Sequence, residues 1–270
     1  MTNLIIHGVP LSVHTRKVII AAIIKKLDYK FEVVIPVVPG NPPANWNTLS
    51  PTGLIPVIED GGYTLADSNA ICLYLDKKYP ASPVLPADVA DYGRALWFDA
   101  YAGGTIFRHV VHPLFHQTIV GPKINQVATD NTVVDDVLKN VQLKILGYLE
   151  SQIAGKFLVG NTLTLADIAI VSNFIVYQYM GFRVDAGQHP KLAKYLREIA
   201  ALDVFQRALS DEKPFTEQMG LDRSFLSDLA KNQPRPPAGA GLYRRREVNY
   251  RGTEAVRCEG AVPAGVCPKP

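Results

Sequence analysis

The spacing of apolar positions changes period twice near the start of the chain. Asn3-Leu4-Ile5-Ile6-His7 is a short apolar run ended by Gly8 and Pro10, which predicts a buried strand. From Ser12 to Leu27 the spacing turns helical. Val13, Ile20, Ile23, Ile24 and Leu27 share one face there, and Lys25, Lys26 and Asp28 mark the polar end. Tyr29 to Ile35 predicts a second strand. A strand, a helix and a strand of these lengths make a right-handed βαβ unit with parallel strands. Pro36 to Pro51, rich in Pro, Asn and Gly, predicts an irregular segment with one helical turn near Trp46. Ile55-Pro56-Val57-Ile58 and Tyr63-Thr64-Leu65 flank Glu59-Asp60-Gly61-Gly62, and Asp-Gly between short apolar runs is a strong hairpin signal. Asp67-Ser68 then caps a helix that buries Ala70, Ile71, Tyr74 and Leu75 and ends at Tyr79-Pro80.

Pro80 to Pro86 reads as a stiff connection, and the pattern beyond it is helical. Val134, Val137, Leu138, Val141, Ile145 and Leu149 recur at spacings of three and four, as do Leu192, Tyr195, Leu196 and Ile199. Leu163-Thr164-Leu165-Ala166-Asp167-Ile168 is a helix start, with Thr164 as cap, Asp167 as the acidic half of a capping box, and Leu163 with Ile168 as a hydrophobic staple. The division predicted is an α/β module over 1–80, a linker over 81–90 and an all-helical domain over 91–215. The remainder, 216–270, reads as a disordered tail. Residues 232–270 hold six Pro, five Gly and the run Arg244-Arg245-Arg246 without apolar periodicity, so little there offsets the entropy of ordering.

Charge and cysteine content narrow the function classes. The net charge of +3 comes from the end of the chain: residues 221–270 carry nine Lys/Arg against five acids, leaving the rest near neutral. Such a body has no field to attract nucleic acid. Cys72, Cys258 and Cys267 form no framework, which fits a reducing compartment. The N-terminus lacks secretory-signal features and no uncharged apolar run is long enough to span a bilayer, so the expectation is a cytoplasmic protein off the membrane.

Candidate chemistry gathers at helix starts. Ser12 follows a strand and a Gly-x-Pro turn, where free N–H groups and the helix dipole favour an anion. A thiol held there ionises below its usual pKa of about 8.5, and Arg16 one turn on is placed to add positive charge from behind. Capping alone would also account for Ser12, and by position alone it is the better account. Asp67-Ser68 has the same two readings, since an acid and a hydroxyl at a helix mouth suit an amino-acid head group as well as a cap. A cis Ile55–Pro56 bond would turn the Ile55 backbone outward toward an extended peptide, but only about one X-Pro bond in twenty is cis, so these residues alone favour trans.

Together these motifs resemble the cytosolic glutathione transferases. They are Ser12 at the first helix, Gly53-Leu54-Ile55-Pro56 before the third strand, Asp67-Ser68 at the next helix, the Pro-rich linker, and Thr164-Leu165-Ala166-Asp167 in an all-helical half. The resemblance covers about residues 2–210. Gly8, Pro10, Ser12, Thr15 and Arg16 match the phi-like serine group within it. It implies an α/β thioredoxin-like N-terminal domain plus an all-α C-terminal domain, glutathione as co-substrate, and a homodimer. It further implies that Ser12 stabilises the glutathione thiolate, that Ile55 with a cis Pro56 pairs with the cysteinyl backbone, and that Asp67 and Ser68 hold the γ-glutamyl head. Leu54 stands where Gln, Lys or Arg is common. The loop from Pro39 to Asn47 lacks the usual His or Lys for the glycyl carboxylate, with Asn41 or Trp46 as substitutes.

The activity implied is conjugation of glutathione to small hydrophobic electrophiles, with peroxide reduction beside it. Glutathione-dependent dehalogenation or ether cleavage, and a non-catalytic binding module of the same fold, are the alternatives. The turn has no catalytic Cys, no Ser-Ser-Cys isomerase signature after Ser12, and no Tyr in the first strand. His109, His112 and His116 fall at i, i+3 and i+7, but Pro113 is expected to interrupt the helix and no carboxylate or Cys accompanies them, which argues against zinc. Trp97, Tyr101, Phe107 and Phe115 are candidates for the acceptor wall, although aromatics in a helical domain are more often core.

Overall fold

The computed structural model describes residues 4–38, 40–230 and 248–249. Strand β1 (Leu4–Gly8), helix α1 (Val13–Ile24) and strand β2 (Tyr29–Val33) form the expected parallel unit, with Ile6 opposite Phe31. A single turn, α2 (Trp46–Leu49), interrupts the loop that follows. Strands β3 (Val57–Asp60) and β4 (Tyr63–Ala66) form a hairpin. Its two loop residues, Gly61 and Gly62, both have positive φ (63° and 89°), the requirement of the tight primed turn that matches strand twist. Helix α3 (Ser68–Lys78) completes the module. The sheet order is β4-β3-β1-β2, and the two residues of β5 (Val248–Asn249) pair with the outer edge of β2.

Helix α1 departs from the one-faced pattern. Val18, Ile19, Ile20, Ala21 and Ala22 are all at most 1% exposed. A helix apolar all round is one covered all round; here the sheet module lies on one side and the helical half on the other. Val18, Ile19 and Ile20 are each worth roughly 1.5–3 kcal/mol on burial, so α1 anchors both halves. Lys25, expected in solvent with Lys26 and Asp28, is instead buried, with Nζ donating to Tyr79 O at 2.9 Å and paired with Asp76 at 2.6 Å.

The second half is helical throughout. Helix α4 (Val89–Tyr101) runs on through wide turns at Ala102–Val111, a short α5 (His112–Phe115) and a second wide stretch at His116–Asn125. Pro113 therefore does not interrupt the helical path as its sequence suggested: it sits in the first turn of α5, and the next N–H before it, at His112, bonds five residues back to Phe107 O. Helices α6 (Asn131–Asp136) and α7 (Gln142–Gln152) follow. Helix α8 (Leu165–Tyr179) is the hub, buried at every residue but Gln178. It starts with the predicted Thr164/Asp167 capping box.

Helices α9 (Pro190–Ala200), α10 (Asp203–Asp211), α11 (Lys213–Gln218) and α12 (Ser224–Ala230) close the domain. The expected tail boundary at 216 is corrected here. Thr216, Leu221, Phe225 and Leu229 are buried in the core, because this stretch still carries an apolar face. Apart from Val248–Asn249, the rest of the expected tail lies outside the described residues, and Cys258 and Cys267 with it. Among the described residues no helix is long and apolar enough to cross a membrane.

Candidate functional site

Strand register brings the predicted residues to one end of the sheet. The β1–β3 ladder ends at His7 opposite Val57, and the β3–β4 ladder at Val57 opposite Ala66. Val9, Ile55, Pro56 and Asp67 each lie within two residues of those ladder ends. Val34 N–H donates to Gly8 O at 3.0 Å, which carries the end of β2 to the same place. The first turns of α1 and α3 open side by side, joined by His14 and Ser68, and their helix dipoles add there.

Ser12 caps α1 from an extended backbone. Its Oγ accepts from Thr15 N–H at a long 3.4 Å, and its own N–H donates to Val9 O at 2.9 Å. A hydroxyl that accepts with a lone pair keeps its proton to donate elsewhere. Capping and service to a thiolate are thus compatible at Ser12.

Arg16 does not face that hydroxyl. It is fully buried, its Nε and Nη2 on the Glu212 carboxylate at 2.5 and 2.8 Å and its Nη1 on Ser172 O at 2.7 Å. Burial disfavours its charge, but Glu212 outweighs this and raises its pKa. The expectation that Arg16 adds positive charge at the site is corrected: Glu212 matches that charge. What Arg16 gives the site is a bond from Nη2 to Leu11 O, 3.3 Å away, which steadies the residue before Ser12.

At α3, Asp67 holds φ 76° and ψ 123°, a region sparse for any residue with a side chain. Such conformations concentrate where a side chain must be aimed. Asp67 Oδ1 takes the N–H groups of Asn69 and Ala70 at 2.9 and 3.1 Å, and the residue is exposed at the mouth. Ser68 beside it is buried. Lys17 reaches over from α1 to Asn69 Oδ1 and to Asp99 Oδ1, the latter at 2.7 Å. Burial pushes the Asp99 carboxyl up, against the pull of Lys17.

The Ile55–Pro56 peptide is cis, where the residues alone favoured trans. Leu54 is 66% exposed, an apolar side chain in solvent beside the site. Asn41 is occupied in part, its Oδ1 accepting from Ile35 N–H at 2.6 Å. Trp46 is not free for a ligand: its ring is buried and its indole N–H donates to Gly53 O at 3.1 Å.

Comparison with known proteins bears on the whole assembly. Residues 6–83 match the glutathione S-transferase N-terminal domain and residues 111–203 the C-terminal domain. A probable maleylacetoacetate isomerase of Vibrio cholerae is 31% identical over 226 residues, which is 79% of this chain and 99% of that protein. The chain belongs to the glutathione S-transferase family. Glutathione S-transferase Z1 of Arabidopsis thaliana is 30% identical over 208 residues, 73% of this chain and 87% of its own. The crystal structure of a glutathione S-transferase from Rhodospirillum rubrum F11 superposes with a TM-score of 0.69 at 26% identity, covering 77% of this chain and 92% of that one.

In this glutathione S-transferase fold the helical half reaches the site through Phe107, whose ring stands against His14 with centroids 4.5 Å apart. Trp97 instead packs with Tyr101 and donates to Tyr148 Oη at 3.0 Å, half in solvent. His109, His112 and His116 are exposed, and no group of three metal-binding side chains occurs among the described residues. His14 is the residue that sequence reasoning missed. Its partner Ser68 lies 54 positions away, and only the packing of α1 on α3 joins them.

Proposed function

We propose that this chain is a glutathione transferase in which the Ser12 hydroxyl donates a hydrogen bond to the glutathione sulfur and stabilises it as the thiolate. The observation that carries this reading is the state of Ser12. It lies at the open start of α1, at the sheet end shared with Ile55 and Asp67-Ser68, and its hydroxyl proton is left unspent by the cap. Lowering the thiol pKa by one unit takes about 1.4 kcal/mol, which one hydrogen bond and a helix dipole together supply.

The cysteinyl backbone of glutathione pairs with Ile55 beside Pro56, and the γ-glutamyl head takes Asp67 through its ammonium and Ser68 through its carboxylate. With the Trp46 indole bound to Gly53 O, Asn41 is the residue left for the glycyl end, and Leu54 offers that end only an apolar surface. The thiolate attacks an electrophilic carbon held against the helical half. A carbon–sulfur bond forms, the leaving group departs with its electron pair, and the thiol proton goes to water. The same thiolate attacks a hydroperoxide at oxygen, breaking the O–O bond to release an alcohol and leave a sulfenic acid. A second glutathione thiol then displaces water from it to form the disulfide. A homodimer, implied by the family, would cover exposed aromatics such as Tyr63 and Trp97. The name of the Vibrio relative favours a second reading, a glutathione-dependent isomerase; Val13 and His14 after Ser12 stand against it.

The test is retention on immobilised glutathione followed by ultraviolet titration of the bound thiolate in the parent and in Ser12→Ala. The parent should show a thiolate at neutral pH and Ser12→Ala should lose it while still binding glutathione. No retention and no thiolate in the parent would sink the enzyme reading.

A further inference from the structure

His14 lies between the two halves of the molecule, one helical position past Val13 and in the same first turn as Ser12. Its Nδ1 is 3.4 Å from Ser68 Oγ at the start of α3. On the other side its ring meets Phe107 edge to face at 4.5 Å between centroids. A side chain added at Gly103 would come within 4.0 Å of His14 Cε1, so the ring rests near bare backbone there.

Hydrogen-bond accounting at Ser68 then becomes informative. Ser68 is buried, and its hydroxyl has one other close polar neighbour, Asn69 Oδ1 at 3.5 Å, which already receives Lys17. A hydroxyl turned toward His14 or Asn69 as donor cannot serve a ligand. A neutral imidazole carries one N–H, and a ring that donates from Nδ1 occupies a lone pair of Ser68 and frees its proton. The surroundings keep the ring neutral: burial and Lys17 on α1 oppose its protonation, Asp67 at α3 favours it less, and Phe107 and Gly103 bring no charge.

Resting on the reading that this end of the sheet binds glutathione, we propose that His14 is a positioning residue. It donates from Nδ1 to Ser68 Oγ, directs the Ser68 proton to the α-carboxylate of glutathione, and ties that contact to Phe107 on the acceptor side. Glutathione and acceptor are thereby coupled through one ring.

The two edges of the ring can be separated by substitution. His14→Phe keeps a ring against Phe107 and removes the donor, whereas His14→Asn keeps a short N–H donor and removes the ring. Glutathione binding is measured by calorimetry, the thiolate by its absorbance at saturation, and turnover with a nitro-activated aryl chloride as acceptor. His14→Phe should weaken glutathione binding and raise its KM about fivefold, the worth of one hydrogen bond, with kcat within about twofold and the thiolate retained. His14→Asn should restore glutathione affinity and raise the acceptor KM instead. In Ser68→Ala the further change His14→Phe should cost nothing more. If His14→Phe does not fold, His14→Leu takes its place in the same cycle. Unchanged glutathione affinity in a folded His14→Phe or His14→Leu, or losses that multiply with Ser68→Ala, would overturn this proposal alone. A parent that binds no glutathione would overturn it together with the reading on which it rests.

Discussion

Arg16 and Glu212 form a fully buried, two-point ion pair that joins the first helix of the sheet module to the turn between α10 and α11. Two charges removed from water are costly, and what makes the pair tolerable is that each has the other, with Ser172 O and Leu11 O taking further guanidinium donors. Glu212→Gln leaves the guanidinium buried without a counter-charge and should destabilise the protein by about 3–5 kcal/mol. Arg16→Met combined with Glu212→Leu removes both charges and should recover most of that loss. Urea unfolding midpoints of the three variants decide the matter, and a double variant no better than the single would mean that the backbone contacts of Arg16 dominate.

Gly8 and Thr15 are in contact at the turn that presents Ser12. A methyl group on Gly8 would lie 2.5 Å from Thr15 Oγ1 and 2.8 Å from its Cγ2, inside a core where Thr15 has no exposed surface. Gly8→Ala should therefore cost about 1–3 kcal/mol by overpacking and raise the KM for glutathione by displacing the start of α1. Thr15→Ala takes away both offending atoms, and Thr15 Oγ1 has no hydrogen-bond partner among the described residues to lose. The double variant should be more stable than Gly8→Ala alone, a sign change that a thermal-shift series would reveal.

Asp167 holds together more than its own helix. Its carboxylate accepts from Leu158 N–H at 2.8 Å, Thr164 N–H at 2.9 Å, Thr164 Oγ1 at 3.0 Å and Tyr195 Oη at 2.8 Å, all out of water. Thr164→Ala should cost about 1 kcal/mol, as an ordinary cap does. Asp167→Ala strands several buried donors at about 1–3 kcal/mol each and should cost several times more. Equal losses in chemical denaturation would show that the box acts only as a local cap.

Much of this was legible in the residues themselves. The βαβ unit, the hairpin marked by Asp60-Gly61, the Asp67 cap and the Thr164/Asp167 box are local chemistry, although β3 runs on through Glu59 and Asp60 and leaves only Gly61-Gly62 in the turn. Ser12 was legible as a cap by itself, and its proposed service to a thiol came only from its companions. What escaped was tertiary. The helical run from Ser12 to Leu27 looked one-faced because sequence shows neighbours along a helix, not a second domain laid on its far side. Arg16 looked like a charge for the site because Glu212, 196 positions on, was invisible from it. Trp46 looked available until the fold buried its ring and gave its N–H to Gly53 O. The helices of 216–230 were hidden by the composition of the segment after them.

The neutral state of His14 makes acid stability a readout of the same site. Burial, and then Lys17, lower its pKa from 6.5 to about 4, while Asp67 pulls the other way. In the unfolded chain the ring takes up a proton near pH 6.5, and in the folded protein it resists until about pH 4. Between these values the unfolded state binds more protons, so stability must fall as pH falls. The contribution is fully present above pH 6.5 and lost by about pH 4, and a shift of that size corresponds to about 3 kcal/mol. His14→Asn has no such proton to resist. The parent should lose stability faster than His14→Asn as urea-unfolding experiments move from pH 7 to pH 4, with the two curves parallel above pH 7. Curves that stay parallel through the acid range would show that the imidazole is as free to charge in the folded protein as in the unfolded chain, and that the packing of Phe107 and α3 around it does not hold in solution.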